Sequence, residues 1–318
     1  MSTTVTLITL QFVVPLALIV WLAVLPRRSW LGFSLHVLVT GVWLMAVALC
    51  GLWTVLPWWT AHLLGLVLVA TALLRLRTHA AFTPIPTGPA SWLVLGAGLI
   101  VLMTSVTQIV SALAGRIPVP GTTADVAPPF EEGIFLVVNG GSNERVNAHL
   151  KVLSTDVPRY RAWLGQAYGV DLIRVDPFGL RASGLQPERA DAYRGFGTAV
   201  HAPCPGTIQR VEDGLPDNAV PQTDRSRMAG NHVIIRCEPF DLVLAHLRRG
   251  SVVVRLGDRV RTGQRIGELG NSGNSDEPHL HVHAQRTTPE NEPFSGEPVA
   301  LRFAGRWLVR NDRLIVTR

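Results

Sequence analysis

The sequence predicts an α-helical membrane region of four spans followed by a mainly antiparallel β domain. Three observations carry that expectation. Residues 1–115 contain no Asp or Glu, so all 23 acidic residues of the 318-residue chain follow them. From Gly133 onward, short apolar runs are separated by turn formers, the pattern of strands and hairpins. Within Asn271–His283, Pro278 is followed by His279, His281 and His283 alternating with Leu280, Val282 and Ala284. That period of two places three imidazoles on one face of a strand.

The spans come first. Residues 5–25 form an uncharged apolar run ending at Pro26-Arg27-Arg28, and further runs cover Trp30–Trp53, Trp58–Leu74 and Ser91–Ala114. Each is about the length a helix needs to cross a bilayer, the third being the shortest. Buried helices of a soluble domain are the weaker reading, because four such runs without an acid are hard to solvate. The first run has no basic leader and more spans follow it, so it reads as a span, not as a cleaved signal. Arg27 and Arg28 lie between spans one and two, and Arg75 and Arg77 between spans three and four. Positive charge favours the cytoplasmic side, so both termini are expected outside. Trp21, Trp30, Trp53, Trp58, Trp59 and Trp92 fall near span ends, where indoles anchor at the interface. His36 and His62 lie in or near spans without an obvious partner.

Beyond these four arginines, the remaining 25 basic residues face 23 acidic ones. The basic balance of the whole chain is therefore no sign of a nucleic-acid partner. The domains expected are a transmembrane region over 1–114, a Pro/Gly-rich linker over 115–132 and an extracytoplasmic β domain over 133–318. Strands are expected at Ile134–Val138, Gly169–Val175, Thr207–Val211, His232–Arg236, Leu242–His246, Ser251–Val254 and Trp307–Val309, with a helical pattern only at Pro158–Tyr168. Cys50 lies in span two. Cys204 and Cys237 flank a predicted hairpin, which leaves either a disulfide or two thiols open.

Four blocks then occur in order: Gly197–Gly206 (Gly-Thr-Ala-Val-His-Ala-Pro-Cys-Pro-Gly), Gly230–Ile235 (Gly-Asn-His-Val-Ile-Ile), Ala245–Gly270, and the Pro-His-Leu-His stretch at 278–281. This succession resembles the lysostaphin/LytM-type zinc metallopeptidases, which cut peptides of the bacterial cell wall. The resemblance covers about Gly195–Gln285, is weaker over 133–194 and does not reach the membrane half. It implies a LytM/lysostaphin-like fold of the duplicated-hybrid-motif type and one catalytic zinc ion held by a His and an Asp upstream and by the second His of His-x-His, here His281.

The upstream pair normally lies four positions apart, and this chain has no such His-x-x-x-Asp. The replacement is His149 in Asn147-Ala148-His149 with Asp171 in Tyr168–Leu172, 22 positions on. An insertion holding Pro158–Tyr168 would have to loop out between them. Otherwise His149 is an exposed loop residue and Asp171 a turn residue. The resemblance also assigns His246 and His279 to proton transfer and oxyanion stabilisation rather than to the metal. Three protein ligands with an open position suit a catalytic zinc, and no His-Glu-x-x-His helix is present. His232 and His283 read as wall residues, and His201 as a groove residue.

The expected function is a membrane-anchored zinc endopeptidase of the cell membrane, acting outside the cytoplasm on peptidoglycan peptides, with the lipid bilayer as its other partner. Two readings compete. One is a non-hydrolytic module that binds the wall or regulates another wall hydrolase; the retained His246, His279 and His281 argue against it, and the unusual upstream spacing leaves room for it. The other makes the spans a transporter or sensor, which their lack of paired charges disfavours.

Overall fold

The structure is a computed structural model that describes residues 3–24, 29–78, 83–154 and 156–317. It contains two units, Met1–Leu113 and Ala114–Arg318.

The first unit is helical. Helix α1 (Thr3–Ile8) runs through a π-helical turn at Thr9–Val13 into α2 (Val14–Val24), and α3 (Trp30–Cys50), α4 (Thr60–Thr78) and α5 (Pro89–Ala114) follow. These make four helical stretches long and apolar enough to cross a membrane. The Ser29 side chain caps α3 by accepting from Gly32 N, which satisfies one of the free amides of a helix start. Arg75 and Arg77 occupy the last turn of α4, where positive charge suits the helix dipole. Ile19, Leu22, Phe33, Leu44, Leu64 and Leu68 pack between the helices. His36 donates from Nε2 to Leu18 O at 2.8 Å, and the His62 ring lies edge-on to Trp58. Arg27 and Arg28, which carry half of the orientation argument, lie outside the described residues.

The second unit is built on strands. β1 (Thr123–Val126) lies within the Pro/Gly-rich stretch expected as a linker and pairs in parallel with β11 (Pro298–Phe303). The main sheet runs β12 (Arg313–Val316), β2 (Gly133–Asn139), β3 (Val170–Val175), β10 (Leu280–Arg286), β7 (Phe240–Leu247), β6 (Asn231–Cys237), β5 (Gly206–Glu212), β8 (Arg259–Val260), with β11 also paired to β10. Apart from β1 with β11, its ladders are antiparallel. β4 (Ala199–His201) and β9 (Arg265–Glu268) form a separate ribbon.

Alternation decides which side of the sheet is which. Phe135, Val137, Leu172, Val233, Ile235, Leu242, Leu244, Leu280, Val282 and Ala284 enter one large core. The residues between them face the other way. Ile234, Val243 and Ala245 form a smaller apolar floor there with Ala229 and Phe294, against which Trp163 packs. Asp171, His281 and His283 lie in the same alternating positions, so the polar site is laid on the second face of a sheet whose first face holds the core.

Three expectations change. Ser251–Val254 forms no strand: Val253 N reaches Ile266 O on β9, but Val252 N goes to the Asp213 side chain at Oδ2, so the ladder does not continue. Trp307–Val309 is likewise not a strand; Val309 N turns onto Asp312 Oδ2 at 3.0 Å. The helical segment expected at Pro158–Tyr168 is a 3-10 segment, Pro158–Gln166, broken by non-helical dihedrals at Trp163. Cys204 and Cys237 are joined by a disulfide, their Cα atoms 6.0 Å apart, as the β5–β6 hairpin allows; Cys50 is in no disulfide and its Sγ donates to Gln108 O at 3.3 Å.

Candidate metal centre and active site

Register places the site. His281 on β10 stands opposite Asp171 on β3 and opposite Ala245 on β7. His281 and Asp171 are therefore cross-strand neighbours on one face, the spacing at which side chains meet. His281 Nδ1 lies 2.7 Å from Asp171 Oδ1. Asp171 Oδ2 lies 3.3 Å from His149 Nε2. The three side chains each offer a donor atom within 4.8 Å of the others and could hold a metal ion.

The 22-residue gap between His149 and Asp171 is closed by asparagines. The side chain of Asn147, fully buried, caps the 3-10 segment Ala148–Leu153 by accepting from His149 N. Its Nδ2 donates to the carbonyls of Gly141, Ala167 and Gly169 at 3.1–3.4 Å. The insertion thus returns to the start of β3 beside the residue it left. Gly169 is required there, since a Cβ would sit 2.6 Å from His281 Cε1 and 2.9 Å from Gln166 O.

Two further imidazoles flank the cluster. His246 stands at the C-terminal end of β7 with φ 64°, an uncommon conformation for a non-glycine residue. Its N donates to Ala229 O and its carbonyl accepts from Gly270 N, so the neighbouring loops impose that geometry. His246 Nδ1 donates to Ser272 O at 2.9 Å, and His279 Nδ1 donates to Glu277 O at 2.9 Å. A carbonyl only accepts, so each ring carries its proton on Nδ1 and keeps a lone pair on Nε2. The two rings are 4.7 Å apart, and His246 is 6.0 Å from His281. His279 Nε2 lies 3.8 Å from Asp171 Oδ1.

The donor set fits zinc. Two imidazole nitrogens and a carboxylate are its ordinary ligands. The 2.7 Å approach of His281 Nδ1 to a carboxylate oxygen needs a positive centre between the two lone pairs, which a proton or a cation supplies. The other nitrogen of His281 is engaged as well: Nε2 lies 2.9 Å from His283 Nδ1. A metal on Nδ1 places the ring proton on Nε2, so His283 accepts it, and the His283 ring is itself stacked on Phe294. Second partners of this kind fix the tautomer of a metal-binding histidine.

Electrostatics agree. Burial, partly offset by Asp171, holds the His149 imidazole down at about 4. Burial, aided by His279 and His281, holds His246 well below its ordinary range, and burial with His281 does the same to His283. Burial alone would raise Asp171, yet His149, His279 and His281 outweigh it and keep the carboxylate ionised. At neutral pH His149, His246 and His283 are therefore held neutral beside an ionised Asp171, and a neutral imidazole and a carboxylate are the forms that bind a metal.

A pH dependence follows. An unfolded histidine takes a proton near 6.5, whereas folded His149 resists until about 4. Between those values the unfolded chain binds more protons, so stability is fully present above about pH 6.5 and is lost as pH falls. His246 and His283 act in the same direction. Thermal unfolding of the metal-free, detergent-solubilised chain should show the β unit less stable at pH 4.5 than at pH 7, by up to about 3 kcal/mol from His149. Equal or greater stability at pH 4.5 would contradict this account of the site.

Of the residues singled out in the sequence, His149, Asp171, His246, His279 and His281 are brought together. His201 is not part of the cluster: it sits on β4 with Nε2 3.2 Å from Glu131 Oε1. His232, on β6, donates from Nδ1 to Gly230 O and lines a cavity of about 490 Å³ with Trp163, Met228, Ala229 and Phe294. Sequence reasoning passed over Asn139, Asn147 and Gly169. It also passed over Arg181, a buried guanidinium that donates to Glu277 Oε2 at 2.8 Å and so secures the turn before His279.

Part of the chain is similar to known proteins. Residues 190–293 match peptidase family M23. Over 105 residues the chain is 33% identical to the peptidoglycan DD-endopeptidase ShyA of Vibrio cholerae serotype O1, a match covering 31% of this chain and 24% of that protein; the chain thus spans about a quarter of the curated relative's length. Among solved structures, the catalytic domain of the prophage-encoded M23 protein EnpA from Enterococcus faecalis, in a mutant form, is 21% identical with a TM-score of 0.28, covering 42% of this chain and 73% of that one. The catalytic domain of lysostaphin from Staphylococcus simulans is 23% identical with a TM-score of 0.27, covering 41% and 74%. His149 and Asp171 precede the matched range, while His246, His279 and His281 fall inside it. The peptidase family M23 match thus lies in the β unit, and four apolar helices precede it in the chain.

Proposed function

We propose that this chain is a membrane-anchored zinc endopeptidase that hydrolyses peptide bonds of peptidoglycan from outside the cytoplasm. The observation that carries the reading is the convergence of His149 Nε2, Asp171 and His281 Nδ1 beside two imidazoles whose Nε2 lone pairs are free of the carbonyls that hold Nδ1. His149, Asp171 and His281 would hold the ion. Zinc supplies Lewis acidity, polarising a carbonyl and acidifying water.

The remaining work falls to the protein. His246 and His279, each with Nδ1 on a carbonyl and Nε2 clear of it, are placed to take a proton from the attacking water on Nε2 and, once protonated, to donate to the developing oxyanion or the leaving amine. The Ser272 and Glu277 carbonyls keep both rings in that tautomer. The second face of the sheet continues past His246, whose N is bound to Ala229 O, into the cavity that Ala229 and His232 line. That concave surface is suited to hold a peptide on one side of the scissile bond. The substrate class is supported by the similarity to a peptidoglycan DD-endopeptidase.

The zinc-loaded chain should release peptides with new amino and carboxyl ends from purified peptidoglycan, read by mass spectrometry. Intact glycan-linked peptides after prolonged incubation would remove the proposal.

Topology makes a separate prediction. Arg75 and Arg77 at the end of α4, with Arg27 and Arg28, support a topology with the loops after α2 and α4 on the cytoplasmic side, since positive charge favours that side. Reporters fused at residue 80, which lies outside the described residues, and after the C-terminus should report opposite sides. A cytoplasmic C-terminus would sink both the topology and the wall substrate.

A further inference from the structure

Segments far apart in sequence meet at Asn139. This residue ends β2 just past a bulge, opposite Asp171, and bulges re-aim side chains. Its Nδ2 donates to Asp171 Oδ2 at 2.8 Å. Its Oδ1 accepts from Ala148 N at 3.1 Å, the residue before His149, and from Arg310 Nη2 at 2.8 Å. One amide therefore touches Asp171 directly and fixes the backbone that carries His149.

Arg310 is held in turn. Its Nε donates to Val138 O at 2.9 Å and its Nη1 to Arg145 O at 3.1 Å. The turn around it is tied to Arg116, whose Nη1 lies 2.9 Å from Asp312 Oδ1 and whose Nη2 reaches Arg310 O at 3.5 Å. Arg116 lies two residues past the end of α5 at Ala114. Gly115 O accepts from Ser142 N at 2.9 Å, and a side chain on Gly115 would meet Asn143 Oδ1 at 2.8 Å. The segment leaving the fourth helix is thus seated against the 140–147 loop that delivers Asn147 and His149.

We propose that Asn139 is the positioning residue that sets the two upstream ligands against each other, and that the Ala114–Arg116 segment at the end of the fourth helix steadies it through Asp312 and Arg310. The proposal rests on reading His149 and Asp171 as zinc ligands. Its physical basis is that ligands must be held within a fraction of an ångström, and that hydrogen bonds to a ligating carboxylate set its orientation. The residues that follow the last apolar helix would then contribute to the affinity of the metal site.

Contact alone is not coupling, so the test is a double-mutant cycle on zinc affinity. It uses the full-length chain in detergent, chelator competition, and metal-free unfolding temperature as the control for folding. Asn139→Ala should weaken zinc binding by about 10–100-fold with little change in the metal-free unfolding temperature. Arg116→Met should weaken it roughly threefold in the parent chain and have no further effect in the Asn139→Ala background, because it acts through Asn139. Should Asn139→Ala fail to fold, Arg310→Lys, which withdraws the contact on Asn139 Oδ1 while keeping the charge, must weaken zinc binding instead. Parent-like affinity in Asn139→Ala, or in Arg310→Lys where that variant carries the test, overturns the proposal. So does an Arg116→Met effect that is absent from the parent, or equal in both backgrounds. A parent chain that binds no zinc sinks the zinc reading as well, whereas tight binding by the parent with an indifferent Asn139→Ala sinks only the positioning role.

Discussion

His281→Ala and His149→Ala should each release the zinc and take peptide hydrolysis with it. Removing His281 deletes the donor that register places opposite Asp171 and leaves His283 Nδ1 without its 2.9 Å partner. Removing His149 deletes the Nε2 that lies 3.3 Å from Asp171 Oδ2. Loss of an outer partner alone typically costs ~10–100-fold in metal affinity, so loss of a direct ligand should exceed that. Activity should fall to that of the metal-free protein. Metal content of each purified variant, with turnover of a peptide substrate, checks this; a His149→Ala protein with parental zinc would place that ligand elsewhere. Each loss also takes one imidazole partner from the buried Asp171 carboxylate, so the metal-free variants should unfold at a somewhat lower temperature than the metal-free parent.

His279→Ala and His246→Ala should behave in the opposite sense. Neither ring has a donor atom in the three-residue cluster, so zinc should stay bound. Turnover should fall by roughly 10²–10⁴-fold, the scale of a general acid–base or oxyanion group. His246→Ala carries a second consequence, since its φ of 64° is as uncommon for alanine as for histidine and the strain remains. His246→Gly should therefore fold at least as well and be equally slow. The decisive pattern is full metal with low turnover. Variants that lose zinc along with activity would make these residues ligands or structural supports.

The site was readable from the sequence to the extent that it is local. Alternation across Leu280–Ala284 fixed the face of β10, and the strand stands where that pattern puts it because Leu280, Val282 and Ala284 all enter the core. His246 and His279 follow from blocks of residues adjacent in the chain. His149 and Asp171 depend on tertiary closure. Asn147 and Asn139 look like turn formers in the sequence, and only their side-chain bonds to Gly141, Gly169, Ala148 and Asp171 show that they join the two ends of an insertion. The strand expected at Ser251–Val254 failed for a similar reason: Val253 N reaches Ile266 O on β9, but Val252 N turns onto the Asp213 side chain, so no ladder continues. The four apolar helices were legible because length and composition alone define them, whereas the π-helical turn at Thr9–Val13 has no compositional signature.

The measurement that bears most directly on the zinc centre is the metal content of Asp171→Ala beside that of the parent chain. Asp171 is the anion between the imidazoles, touching His281, His149 and Asn139, and register leaves it no substitute on β3. The parent should hold one zinc per chain and Asp171→Ala essentially none, at pH 7 and after removal of loosely bound metal. An Asp171→Ala protein that keeps a full equivalent of zinc would contradict the assignment of the upstream half of the site.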